Sequence, residues 1–230
     1  MFFYYDYYYL ILVIPALLIA MWAQFKVQST FNKYSKVQAS RGYTASQIAR
    51  CLLDENGLND VSVERVSGNL TDHYDPKANV IRLSDSVYNS TSVAAIGVAA
   101  HETGHAIQYA KKYAPIKLRS AIIPLSQIGS TLSMPLILLG FIFSFRPLVI
   151  GGIILFSLVA LFQLITLPVE FNASRRALDV LESRDYLYGD ELDGARKTLS
   201  AAAMTYVAAL LVSLMQLLRL VLLFGRRNND

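Results

Sequence analysis

The sequence predicts a mainly α-helical membrane protein, with about four transmembrane helices and one small α+β domain. Three observations predict it. Four long apolar runs stand apart from a single polar block. That block, residues 40–118, alternates between short strand-like and helix-like patterns. Hydrophobic residues make up 54% of the 230 and charged residues only 17%, where a soluble domain carries about 25% charged residues. Intrinsic disorder, which needs low hydrophobicity and high charge, is excluded. A single soluble globule does not fit either.

The first apolar run covers 7–25. Tyrosines 4, 5, 7, 8 and 9 precede its centre and Trp22 follows it, as suits two membrane interfaces. A cleaved signal peptide would carry basic residues ahead of its apolar core, and none occurs before Lys26, so a retained anchor is expected. The second run, 121–145, and the third, 147–167, are separated by Arg146 alone and should form a tight hairpin. The fourth, 201–224, opens with Ala201, Ala202, Ala203 and Thr205, small residues that let helices approach closely in lipid.

The basic residues set an expected orientation. Of 21 Lys and Arg, 12 lie between the first and second runs and five lie in 168–200. The hairpin tip has one, and the N-terminal head none. Both polar segments should therefore face the cytoplasm in a multi-pass plasma-membrane protein. Arg219, Arg226 and Arg227 disagree, since they would end outside. Either they are outvoted or the fourth helix does not fully span. The formal charge of +4 is read as this membrane charge, with no nucleic-acid partner expected, because no binding motif accompanies it. One cysteine, Cys51, precludes an intrachain disulfide.

Inside the polar block, Thr44 and Gln47 form a capping box that opens a helix, and Gly57 ends it. Cys51 falls on the apolar face of that helix. Residues 61–66 alternate as a strand. Residues 70–74 and 80–83 are two further strands about a turn at 75–79, giving an expected three-stranded antiparallel sheet. Ser90 and Thr91 then cap a helix from about 92 to 113, rich in Ala and Gly and so packed by neighbours on several sides.

His101-Glu-Thr-Gly-His105 lies in the middle of that helix. Histidines at i and i+4 share one helix face, so both imidazoles can reach one Zn²⁺. Glu102, one position round, can take a proton from a water there without binding the metal. A catalytic zinc needs a third protein ligand, and no His follows His105. The third ligand is then a carboxylate or His73. Glu170 stands out, as a lone acid where the third apolar run ends and thus costly unless paired or ligated. Its alternative partners are Arg175 and Arg176. Pro168 beside it suits a helix start or a kink. His73 could be a ligand, an oxyanion donor or a turn residue, and Tyr74 could be the oxyanion donor instead.

The strings Leu70-Thr-Asp-His-Tyr-Asp-Pro76, Ala99-Ala-His-Glu-Thr-Gly-His-Ala-Ile-Gln108 and Leu167-Pro-Val-Glu-Phe-Asn-Ala-Ser174 resemble those of the bacterial YugP-like neutral zinc metallopeptidases. These are in turn similar to the heat-shock and CAAX-processing membrane zinc peptidases, which add a Glu-x-x-x-Asp pattern on a later helix. The resemblance implies a zincin-like domain, with His101, His105 and Glu170 as zinc ligands and Glu102 as the base. The sequence departs from the relatives at Ser174, where they place Asp. The implied organisation is a transmembrane helix over 1–25 and a cytoplasmic catalytic domain over 26–120. A transmembrane hairpin over 121–167, a cytoplasmic helix with the third ligand over 168–200, and a last helix and tail over 201–230 follow. The implied activity is zinc-dependent endopeptidase action on membrane-associated polypeptides, with the bilayer as partner and no substrate or oligomeric state specified. Two other readings fit the residues: a non-proteolytic zinc scaffold or regulator, which would not need Glu102, and a zinc hydrolase of a small or lipid substrate.

Overall fold

The computed structural model describes residues 6–225. Tyr4 and Tyr5 of the aromatic head, with Arg226 and Arg227, lie outside the described residues. A π-helical turn, Tyr9–Val13, leads into α1 (Ile14–Tyr34). Then come α2 (Ala45–Glu55), β1 (Ser62–Val66), β2 (His73–Asp75) and β3 (Val80–Ser84). The chain continues through α3 (Val93–Ala110), α4 (Ala114–Ile142), α5 (Arg146–Ser183) and α6 (Asp190–Gly225). It is a mainly α-helical membrane protein with a small α+β domain. Among the described residues, four helices are long and apolar enough to cross a bilayer: Tyr9–Tyr34, Ala114–Ile142, Arg146–Ser183 and Asp190–Phe224. The fourth is thus long enough to span.

The chain divides into two compact units. One comprises the chain up to Gln24, Leu118–Leu167, and the chain from Met204 on. Here α4 and α5 pack through glycine. A Cβ at Gly129 would collide with the Leu155 carbonyl oxygen, and one at Gly152 would lie 2.7 Å from that of Ser133. Small residues thus allow the backbone contact that holds helices together in lipid. In the same unit Arg219 pairs with Asp6, its Nε donating at 2.7 Å, and stacks over the Tyr9 ring. Asp6 therefore offsets one of the three cations that oppose the charge-based orientation.

The second unit comprises Phe25–Lys117 and Pro168–Ala203. The capping box of α2 is present: Gln47 N donates to Thr44 Oγ1 and Thr44 N to Gln47 Oε1. Ala45, Ala49 and Leu53 of α2 pack with Ile81, Leu83, Ala94, Ala95 and Ala99. Ile48 and Leu52 pack instead with Ile96, Ala100, Ala177, Leu181 and Ala195. Helix α3 thus carries apolar residues to two cores at once. Its small side chains are the sequence signature of burial on several sides.

Two details differ from the sequence expectation. The sheet is mixed, in the order β1-β3-β2: β3 pairs antiparallel with β2 but parallel with β1. The cause is burial. β3 has four of its five residues buried and takes the centre, while β1 and β2 have none and fall to the edges. The cap of α3 is Ser92, whose side chain accepts from Ala95 N. Ser90 donates to the Ser92 hydroxyl, and Thr91 bonds Gln38.

Candidate metal centre

All the residues that follow belong to the second unit. Helix α3 presents His101 and His105 one turn apart, with ring centroids separated by 4.7 Å and planes at 84°. Between them sits Gly104. A Cβ there would lie 2.8 Å from the Ala173 carbonyl oxygen and 3.2 Å from the Ala173 Cα. The glycine is what admits the α5 backbone at this point, and Ala173 keeps the facing surface small. Glu170, nearly one turn before Ala173, is thereby set against both histidines.

The Glu170 side chain is buried, and its Oε2 lies 3.3 Å from His101 Nε2 and 3.5 Å from His105 Nε2. The three donor atoms all lie within 4.8 Å of one another. A charge-assisted hydrogen bond would be shorter, about 2.7–2.9 Å. Donors around a tetrahedral zinc, with bonds of about 2.0–2.2 Å, stand roughly 3.3–3.6 Å apart. The spacing fits a shared cation better than a shared proton. Two imidazoles and one carboxylate are also a donor set of the catalytic-zinc kind.

The other ring nitrogens are held from outside the cluster. His101 Nδ1 meets the Ser174 hydroxyl at 3.0 Å, so a neutral group supports this ring. His105 Nδ1 meets Gln108 Oε1 at 3.0 Å. Burial acts to lower the His105 pKa. It is nonetheless raised, because the Glu170 carboxylate beside Nε2 and the Glu102 charge outweigh burial, with a contribution from Gln108. A field that favours a proton on His105 also favours a metal cation.

Glu102 is buried and stands outside the set of clustered donors. Its Oε2 accepts the backbone N–H of Tyr74 at 3.0 Å, which ties it to strand β2. The neighbouring Asp72 carboxyl is pushed up by burial and by the Glu102 charge, against two hydrogen bonds from Ser84. His73 begins β2 with an exposed side chain, its Nδ1 2.9 Å from the Thr71 carbonyl, and it too stands outside the cluster. The Tyr74 hydroxyl bonds Asn79. Arg176, weighed above as a rival partner for Glu170, donates to Asn172. Gln108 and Asn172 went unremarked in the sequence. A Gln three residues past His105, on a helix otherwise so apolar, was the available signal.

Fold and site together define a membrane-helix protein with a His-His-Glu centre for one metal ion. The family model described as "Putative neutral zinc metallopeptidase" matches residues 9–225, and the chain belongs to that family. It is 52% identical over 223 residues to the "Putative membrane protease YugP" of Bacillus subtilis (strain 168), covering 96% of this chain and 99% of that one. No solved structure matches. Zinc is therefore the metal that His101, His105 and Glu170 are positioned to bind.

Proposed function

We propose that the protein is a zinc-dependent endopeptidase of the plasma membrane, with its site on the cytoplasmic side and membrane-associated polypeptides as substrates. The observation that carries this reading is the 3.3 Å and 3.5 Å spacing of one carboxylate oxygen from two imidazole nitrogens, with Glu102 beside them in sequence and outside the donor set. Held there, zinc would supply a Lewis acid that acidifies a water and polarises a carbonyl. His101, His105 and Glu170 hold the ion, and Ser174 and Gln108 orient the two rings. Glu102, steadied by Tyr74 N–H through one oxygen, takes the water's proton and delivers it to the departing amine. Both residues weighed as oxyanion donors already commit a donor elsewhere, the Tyr74 hydroxyl to Asn79 and His73 Nδ1 to the Thr71 carbonyl.

The substrate would add as a strand along β2, which lies at the sheet's edge. The bilayer is the expected partner, and nucleic acid is not. The cytoplasmic placement rests on the 12 and five basic residues of the two polar segments. The test is zinc analysis of purified protein together with cleavage of a membrane-protein-derived polypeptide. Activity that needs zinc and is lost in Glu102→Gln supports the reading. Zinc-replete protein whose cleavage is the same in wild type and Glu102→Gln would point to the scaffold reading instead.

A further inference from the structure

We propose that Gln108 is a positioning residue that fixes the metal-binding tautomer of His105, and that Asn172 and Arg176 fix Gln108 in turn. The inference rests on the metal-binding role of His105 given above, but not on peptidase activity.

An arginine Nε–H can only donate, and Arg176 Nε lies 2.8 Å from Asn172 Oδ1. A backbone carbonyl can only accept, and the Val169 oxygen lies 2.8 Å from Gln108 Nε2. The same Nε2 also reaches Asn172 Oδ1, at 3.0 Å. These fixed ends leave each amide one consistent orientation. Asn172 turns its oxygen to Arg176 and Gln108. Gln108 turns its nitrogen to α5 and its oxygen, Oε1, to His105 Nδ1 at 3.0 Å.

An amide oxygen only accepts, so His105 Nδ1 must carry the hydrogen. In the neutral ring the lone pair is then on Nε2. That is the atom 3.5 Å from Glu170 Oε2, within the donor cluster. Gln108 is fully buried, so no solvent competes for these bonds. His101 has no such device. Its Nδ1 faces a serine hydroxyl, which can donate or accept. The two ligands are thus prepared differently. His105 is preset, and His101 can take its tautomer when the metal arrives.

The full chain has three histidines. With ¹⁵N-histidine labelling, and His73→Asn and His101→Asn for assignment, each ring can be followed in the metal-free protein as pH is raised until a single ring proton remains. Wild type should show His105 protonated on Nδ1. Gln108→Leu removes the acceptor and should shift His105 toward the Nε2–H form that an unconstrained histidine prefers. Zinc affinity, read by chelator competition, should fall about 10- to 100-fold, the usual scale for losing a ligand's supporting partner. Gln108→Glu presents an oxygen to Nδ1 in either protonation state, so it should keep the Nδ1–H form even where packing suffers. Asn172→Leu should give a smaller shift in the same direction. The proposal is overturned if Gln108→Leu leaves the tautomer on Nδ1, or leaves zinc affinity within about two-fold. It is also overturned if Gln108→Glu loses the Nδ1–H form as fully as Gln108→Leu, because the acceptor oxygen would then not be the cause. If zinc binds and the tautomer responds while no peptide is cleaved, the peptidase reading fails and this one stands.

Discussion

Each of the two units holds a cluster of sheltered ionisable side chains, and the clusters are built on opposite principles. Asp6 and Arg219 form one, with an arginine Nε–H donating to a carboxylate oxygen at 2.7 Å and formal charges that cancel. His101, His105 and Glu170 form the other. There the distances are 3.3 Å and 3.5 Å, both outer ring nitrogens are held by other residues, and neutral rings leave a net negative charge. The first cluster is complete as a pair, as a charge in an apolar helix bundle must be. The second is built around a cation. Distance and the direction of the outer hydrogen bonds separate structural charge from functional charge here.

The comparison is broken most severely by changing the two acids at the metal centre. Glu102→Gln keeps size and a polar group but loses the base. Hydrolysis should drop by about 10²–10⁴-fold while bound zinc stays near the wild-type level. Glu170→Gln should do the reverse at the first step, losing zinc and recovering part of its activity in excess metal. Zinc content by mass spectrometry separates the two. Equal zinc retention in both variants would remove Glu170 from the ligand set.

Gly104→Ala tests how the centre is assembled. Its new methyl would meet the Ala173 carbonyl oxygen at 2.8 Å, so α3 and α5 must shift apart. A loss of about 1–3 kcal/mol in stability is expected, the scale for overpacking a close contact, with zinc affinity falling alongside. Thermal melts with and without zinc read both. Alanine at Gly57, where no atom lies within 4 Å of the added Cβ, is the contrasting control, although its φ of +72° adds local strain.

Removing half of the Asp6–Arg219 pair should cost less, about 0.5–1.5 kcal/mol, since both side chains retain some exposure. Arg219→Met alone strands the carboxylate. Combining it with Asp6→Leu should recover much of the loss, because a complete pair can be exchanged for apolar packing. No such recovery should follow from pairing Glu170→Leu with His105→Leu when zinc binding is the readout. If the membrane double variant is as unstable as the sum of its singles, the pair is doing more than neutralising charge.

These contrasts also mark what the sequence alone could convey. The His101–His105 spacing was legible because helix geometry is local, and Glu170 because a lone acid beside an apolar run is conspicuous. Thr44 and Gln47 announced the start of α2 for the same local reason. The pairing of β1 with β3 was not legible, since it depends on which strand the core buries most deeply. The cap of α3 fell on Ser92 rather than Ser90 or Thr91, because three hydroxyl residues in a row all satisfy the capping preference. Gln108, Asn172 and Arg176 were hidden for a stronger reason. Their roles lie in which end of an amide faces which neighbour, and only the approach of α5 to α3 at Gly104 decides that.

The smallest expected effect concerns pH, and it tests whether the second cluster is built around a positive charge. In metal-free protein the His105 pKa is raised above 6.5, since Glu170 and Glu102 outweigh the burial that would lower it. A raised folded-state pKa means that the proton binds more tightly in the folded chain than in the unfolded one. Its stabilising contribution is therefore fully present below the unfolded value of about 6.5 and is lost as pH rises through the raised folded value. The melting temperature of the metal-free protein should accordingly fall across that window. Zinc should abolish the decline, because the ion replaces the proton and its binding strengthens as the ring deprotonates. Glu170→Gln removes the largest of the influences raising the His105 pKa and should flatten the metal-free profile. Replacing the Asp6–Arg219 pair, which lies outside the unit that holds His105, should leave the slope in this window unchanged. Melts of these proteins from pH 6 to 9, with zinc and with chelator, make the measurement. A metal-free profile whose stability rises through this range would show that His105 is held neutral, and the cluster would then resemble the closed pair more than a cation site.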